Sequence, residues 1–128
     1  MAEPSFRRRK AQECAQGARL ALEHRLWATA VSRAYYCLYH VLLEVLTAQG
    51  ESAPKRGWNH DVLRDRFWER YCKSGRHFNR QDGQTLNVAR NSRMDADYRD
   101  VEFEGRRVRR LVDAVERLYQ KAIEVLDG

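Results

Sequence analysis

The sequence predicts an all-α protein, an up-and-down antiparallel bundle of four to five helices. Apolar residues recur at three- and four-residue steps in several long stretches, as one face of an α-helix requires. Only two prolines and seven glycines interrupt the 128 residues, which disfavours a turn-rich β architecture. Since 43% of the residues are apolar and 33% are charged, we predict that residues 1–128 form a single domain.

The first two predicted helices differ in how much of their surface is apolar. Residues 5–24 carry a single apolar stripe, which is typical of a helix that covers a core. Residues 26–49 are apolar around most of the circumference and end at Gly50, which favours a central, buried helix. The stripe of the first helix consists of Ala11, Cys14, Ala18 and Leu22.

Residues 50–59 predict a loop, followed by a third helix that Asn59 or Asp61 caps. The apolar positions of this helix are Leu63, Phe67 and Tyr71. Ser74 and Gly75 end the helix, and residues 74–83 predict a second polar loop.

The fourth and fifth predicted helices cover residues 84–98 and 102–126. The fifth is strongly amphipathic, whereas the fourth has few apolar residues and aligns Arg90, Arg93 and Asp97 on one face. Packing against a core does not account for that face. We therefore predict a homodimer in which both copies meet at the fourth helix and Arg93 of each chain faces its mate.

Basic residues concentrate in one part of the chain. Residues 55–93 carry ten basic and four acidic side chains, and the whole chain has a formal net charge of +6. Most of these basic residues are arginines, whose planar guanidinium suits bidentate phosphate recognition. This pattern predicts RNA as a partner, with an ordinary solvated surface as the alternative. The predicted RNA-binding residues are Arg33, Arg64, Arg66, Arg70, Arg76, Arg80 and Arg90. Trp58 and Phe78 lie in the two loops of this segment, where they either stack on bases or pin the loops to the bundle.

The sequence lacks the patterns of metal, cofactor and membrane proteins. Its four histidines are scattered, its three cysteines have no paired spacing, and no Gly-rich phosphate loop occurs. No apolar run approaches the roughly 20 residues that cross a bilayer. We therefore predict no metal, no cofactor, reduced cysteines and a cytoplasmic protein that does not enter the membrane.

The predicted central helix also carries a polar face. Arg33, Tyr36 and His40 are spaced to share one side of this helix. Because buried polar groups need partners, we expect this face to meet the fourth helix, where Asp97 takes Arg33 or a tyrosine hydroxyl. The alternative is a phosphate-facing cleft around Arg33 and Arg93.

The order and spacing of several blocks resemble those of the HEPN family (higher eukaryotes and prokaryotes nucleotide-binding), in particular its small stand-alone prokaryotic branch. The resemblance spans residues 10–126. It implies an all-α bundle that usually dimerises and often belongs to a toxin–antitoxin or defence module, sometimes beside a minimal nucleotidyltransferase as antitoxin. The blocks are Arg33-Ala34-Tyr35-Tyr36 and Tyr39-His40, then His60 and Phe67, then Gly83 and Leu86, and finally Arg93-Met94-Asp95-Ala96-Asp97-Tyr98.

Many HEPN proteins are metal-independent ribonucleases marked by an arginine that a histidine follows after four to six residues. This chain departs from that pattern, because Asp97 and Tyr98 follow Arg93 where the nucleases have histidine. Three functions therefore stay open: a HEPN protein that binds RNA or a nucleotidyltransferase partner; an RNA endonuclease; and a dimeric helical scaffold. The candidate catalytic residues of the endonuclease are Arg93 with Asp97, Tyr98, His40 or His60.

Overall fold

The computed structural model describes residues 5–128, so residues 1–4 of the predicted domain lie outside the described range. Five α-helices and no strand occur in residues 5–128, which confirms the predicted all-α bundle. A π-helical turn at Trp68–Cys72 continues the third helix directly. The helices are α1 (Phe6–Glu23), α2 (Trp27–Ala48), α3 (His60–Phe67), α4 (Arg80–Tyr98) and α5 (Gly105–Asp127).

Helix α2 is the centre of the bundle and packs against each of the other four helices. Its inner positions are fully buried, among them Leu38, Val41 and Leu42. Burial of each such side chain stabilises the fold by roughly 1.5–3 kcal/mol. The prediction of a central, buried helix is thereby confirmed.

Helices α1 and α5 cover α2 and run antiparallel to each other. The predicted stripe of α1 is buried, and two arginines fasten α1 to α5. Arg8 donates two hydrogen bonds to Asp127, at 2.8 and 3.0 Å, beside the start of α1 and the end of α5. Arg19 binds Asp113 at 2.8 Å and Glu116 at 2.6 Å. Helices α1 and α5 are therefore held together by packing and by ion pairs at two positions along their length.

Helix α3 begins where Asn59 caps it, since the Asn59 side chain accepts a hydrogen bond from the Val62 backbone N–H at 3.0 Å. In the π-helical turn that follows, the Lys73 N–H reaches the Trp68 carbonyl five residues earlier, at 2.9 Å. Trp68 then packs directly on Gly83 of α4. A Cβ atom at Gly83 would lie only 2.9 Å from Trp68 Cε3, so glycine permits this close approach.

Helix α4 begins at Arg80, four residues earlier than predicted. Asn79 caps it reciprocally: the Asp82 N–H donates to the Asn79 side chain at 3.0 Å, and the Asn79 N–H donates to the Asp82 carboxylate at 2.9 Å. The polar residues that predicted a loop are thus a capping box and the first turn of α4.

The two loop aromatics of the basic segment have different environments. Phe78 is 1% exposed and packs edge-on against Phe67, with ring centroids 5.0 Å apart, so of the two predicted alternatives it pins its loop to the bundle and does not stack on bases. The hydrophobic core takes this ring because α4 starts directly after it. Trp58 is half-buried and lies under Arg66, whose guanidinium carbon is 4.7 Å from its ring centroid.

Within residues 5–128, no helix combines the length and hydropathy that a membrane span needs. Across the same range, no three His, Cys, Asp or Glu side chains lie close enough together to hold a metal ion. Cys14, Cys37 and Cys72 are buried free thiols.

Candidate functional site at the junction of three helices

Arg93 of α4 reaches across to α2, and its guanidinium joins the two helices. Its Nη2 donates a hydrogen bond to the Tyr36 hydroxyl at 2.7 Å. Its Nε lies 2.8 Å from Asp97 Oδ2, one helical turn further along α4. The Nε–H bond is not directed at an acceptor, so this contact is an ion pair without a hydrogen bond. Only 19% of the Arg93 side chain is exposed.

Three tyrosine rings surround the same guanidinium. The Arg93 Cζ atom lies 5.9 Å from the ring centroid of Tyr35, 5.2 Å from Tyr36 and 5.4 Å from Tyr98. These distances are within cation–π range. Burial lowers the pKa of Arg93, but the neighbouring phenols and Asp97 raise it by more. The net shift is upward, so the guanidinium stays protonated. Tyr35 is buried and Tyr98 is 68% exposed, so the guanidinium lies between the core and the surface.

His60, the first residue of α3, joins this site through Tyr35. The Tyr35 hydroxyl and His60 Nδ1 share a hydrogen bond of 3.0 Å. Burial lowers the pKa of His60, and the charges of Arg90 and Arg64 lower it further, against a weaker opposing effect of Asp61 and Asp65. The imidazole is therefore neutral near pH 7. Burial also raises the pKa of Tyr35, which keeps its hydroxyl protonated.

Arg33 and His40 do not join this site, and the predicted pairing of Arg33 with Asp97 is wrong. Both residues line a groove between α1 and α2 instead. The reason is the position of each residue around α2. At 3.6 residues per turn, Arg33 and His40 are only about 20° apart around the helix axis, whereas Tyr36 is about 60° from Arg33. Tyr36 therefore turns its hydroxyl towards α4, while Arg33 and His40 face α1.

The predicted RNA-binding arginines of the basic segment divide into two groups. Arg64 pairs with Asp61 and Asp65, while Arg66 and Arg70 both pair with Glu51. Within the described part of the chain, the others form no ion pair with a carboxylate: Arg76, Arg80 and Arg90. Arg80 lies over the Trp68 ring at 5.9 Å, and Arg90 acts electrostatically on Tyr35 and His60. Of the predicted residues, Arg90 is thus the one placed beside the Arg93 site.

Sequence reasoning missed the Tyr35–His60 hydrogen bond and did not identify Tyr36 as the partner of Arg93 on the second helix. The adjacent tyrosines were the available signal. Two neighbouring residues on a helix point about 100° apart, so one of them meets α3 and the other meets α4. The chemical result is a charged guanidinium, a neutral imidazole and three phenols around one junction.

Comparison with known proteins gives a consistent picture over nearly the whole chain. Residues 5–126 match the sequence model of the HEPN domain. A protein of Thermotoga maritima described as "UPF0332 protein" is 31% identical over 121 residues, and the alignment covers 88% of each chain.

Proposed function

The chain belongs to the HEPN family, and from this premise we propose that it is the HEPN component of a prokaryotic toxin–antitoxin or defence module. In this role it binds RNA, a minimal nucleotidyltransferase partner, or both. The observation that carries the proposal is the Arg93 site, where Tyr36 and Asp97 hold a charged guanidinium in place.

The site favours binding over cleavage. A guanidinium already fixed by Tyr36 and Asp97 loses little side-chain entropy when a phosphate arrives. Arg90 stands one turn before it and supplies a second cation that has no carboxylate partner among residues 5–128. The positions at which the nuclease pattern places histidine, after four to six intervening residues beyond Arg93, hold Tyr98, Arg99 and Asp100, which leaves the guanidinium without an imidazole after it.

The proposal includes a homodimer formed through α4. Only Gly83, Leu86 and Ala89 of this helix are fully buried within the chain. Val88 is 54% exposed, and Val101 beside it is also exposed. A second copy that covers these valines would remove apolar surface from water.

RNA binding is tested by fluorescence anisotropy with a labelled single-stranded RNA at low salt. Each phosphate contact with a single strand adds about 0.7 to the slope of log affinity against log salt. We therefore expect Arg90→Ala to reduce that slope by about 0.7. Arg117→Ala is the matched control, because Arg117 is an exposed arginine of α5. If the wild type does not bind RNA at about 50 mM salt, where phosphate contacts are strong, the dimeric scaffold is the better description.

A second candidate function is the metal-independent RNA endonuclease, and the Tyr35–His60 hydrogen bond favours it. A neutral His60 is able to take the proton of a 2′-hydroxyl as that oxygen attacks the adjacent phosphorus, and the P–O5′ bond breaks as the leaving 5′-oxygen takes a proton from water. Arg93, which touches the same Tyr35 ring, would stabilise the charge that develops on the phosphate. Cleavage of RNA in EDTA that His60→Asn abolishes would establish this function in place of the first.

A further inference from the structure

A groove between α1 and α2 has no role in the function proposed above. Its volume is about 520 Å³, within the range of sites that hold small ligands. Helix α1 contributes Lys10 and Gly17 to its lining, and α2 contributes Arg33, Tyr36 and His40. The groove therefore combines charged side chains with aromatic residues of α2.

The cations of this groove, Arg33 and Lys10, have no ion-pair partner among residues 5–128. Lys10 instead lies over the Phe6 ring, 4.8 Å from its centroid. Glu13 also lines the groove and makes no ion pair in the described range, so the lining retains a net positive charge. A ligand with a negative charge complements it.

The Arg33 side chain packs over Gly17 of α1. A Cβ atom built at Gly17 would lie 3.7 Å from Arg33 Cγ and 3.9 Å from Cδ, so the arginine stem crosses the glycine in ordinary contact. The stem thereby packs on α1, and the guanidinium belongs to the wall of the groove.

Two rings of α2 form the other part of the wall. The Tyr36 and His40 rings have centroids 6.4 Å apart and both line the groove. Burial lowers the pKa of His40, and the positive charges of Lys10 and Arg7 lower it further. The imidazole is therefore neutral near pH 7. A neutral imidazole and a phenol offer flat faces on which a nucleobase stacks.

Tyr36 connects this groove to the Arg93 site. Its ring lines the groove, while its hydroxyl accepts the hydrogen bond from Arg93. We propose that the α1–α2 groove is a second nucleotide subsite, which binds the RNA nucleotide adjacent to the one at Arg93. Its phosphate contacts Arg33 and Lys10, and its base stacks on Tyr36 and His40. This inference rests on the proposed RNA binding.

The test adds a carboxylate to the groove and compares it with the same carboxylate one residue away. Gly17→Glu places the new charge opposite Arg33, whereas Gln16→Glu places it outside the groove, on an exposed position of α1. Both variants change the net charge equally. Removing a glycine from a helix interior favours the helix, so Gly17→Glu is expected to melt no lower than the wild type. Arg33→Gln is the second variant, which removes the cation and leaves Gly17 unchanged.

Affinity is measured by fluorescence anisotropy with a labelled tetrauridylate, and uridine 5′-monophosphate serves as the competitor. We expect Gly17→Glu and Arg33→Gln each to weaken RNA binding by about tenfold, since a charged hydrogen bond is lost, and Gln16→Glu to change it by less than about twofold. We also expect the monophosphate to displace the RNA from the wild type and not from Gly17→Glu.

Equal affinities of Gly17→Glu and Gln16→Glu for RNA would overturn the groove subsite and leave RNA binding itself intact. Binding of the monophosphate that does not compete with RNA would overturn it as well, since the groove would then serve a free nucleotide. Failure of the wild type to bind RNA overturns the proposed function together with the subsite, so the two failures are distinguishable.

Discussion

Arg93 stabilises the fold as well as forming the candidate site, because its guanidinium contacts α2 and α4 together. Its removal leaves the Tyr36 hydroxyl without this donor and the partly exposed Asp97 without its cation. We expect Arg93→Ala to lower the free energy of unfolding by about 1–2 kcal/mol, the cost of an unsatisfied partly buried group. Urea unfolding measures it, with Arg117→Ala as the control. A loss no larger than that of the control would show that Arg93 serves binding only.

The lowered pKa values of His40 and His60 make stability depend on pH. The ordinary histidine pKa is about 6.5. Because the folded-state pKa of each residue is lower, the unfolded chain takes up more protons as the pH falls through and below that value. We therefore expect the free energy of unfolding to be largest above about pH 7 and to decrease towards about pH 5.

Urea titrations at these two pH values check this, and the double variant His40→Gln/His60→Asn is expected to lose less stability on acidification than the wild type. The same pH dependence in both proteins would mean that other groups cause it.

Tyr98 decides whether the scaffold is competent for the nuclease chemistry of its family. Tyr98→His leaves four residues between Arg93 and the new imidazole, which is the family spacing, and Tyr98 is exposed enough to be replaced without loss of the core. We expect no cleavage of RNA by the wild type in EDTA and measurable cleavage by Tyr98→His, detected on denaturing gels. Cleavage by the wild type would instead favour His60 as the base.

At the scale of the helices, the contact between the π-helical turn and α4 sets a sharp limit on side-chain size. A Cβ at Gly83 would lie 2.9 Å from Trp68 Cε3 and 3.3 Å from Cys72 Sγ, so Trp68 has to move. We expect Gly83→Ala to destabilise the protein by about 1–2 kcal/mol, since overpacking outweighs the gain in helix propensity.

Gly17→Ala is the matched control, because its Cβ would be 3.7 Å from the nearest Arg33 atom. It is expected to stabilise the protein by about 0.5–1 kcal/mol, and thermal melts of both variants compare the two effects. A Gly83→Ala protein that melts above the wild type would mean that Trp68 relocates at no cost.

The helices show which features a sequence predicts well. The apolar stripe of α1 is periodic and buried as predicted, and α2 and α5 bury apolar residues along most of their lengths. The start of α4 was missed because Asn79 and Asp82 have the same polar composition in a capping box as in a loop. The predicted pairing of Arg33 with Asp97 failed for a different reason: helical periodicity gives the angle of a side chain on its own helix, and only packing decides which neighbour lies in that direction.

For the whole molecule, the exposed valines near α4 predict the assembly state. We expect sedimentation equilibrium to give twice the chain mass of 15.1 kDa at micromolar concentration. Val88→Glu should yield the monomer without unfolding it, since Val88 is exposed within the chain. The control is Leu20→Glu, an equally exposed apolar position on α1. A monomeric wild type, or equal effects of the two substitutions, would exclude α4 as the interface.

The Arg8–Asp127 ion pair implies that the order of the helices along the chain can be changed without changing their packing. Since it joins the beginning of α1 to the end of α5, the two ends of the described chain lie side by side. A short linker could join residue 128 to residue 5, and a new start could be cut in the loop between α2 and α3. Such a circular permutant would retain every helix contact, and its helices would follow one another in the order α3, α4, α5, α1, α2.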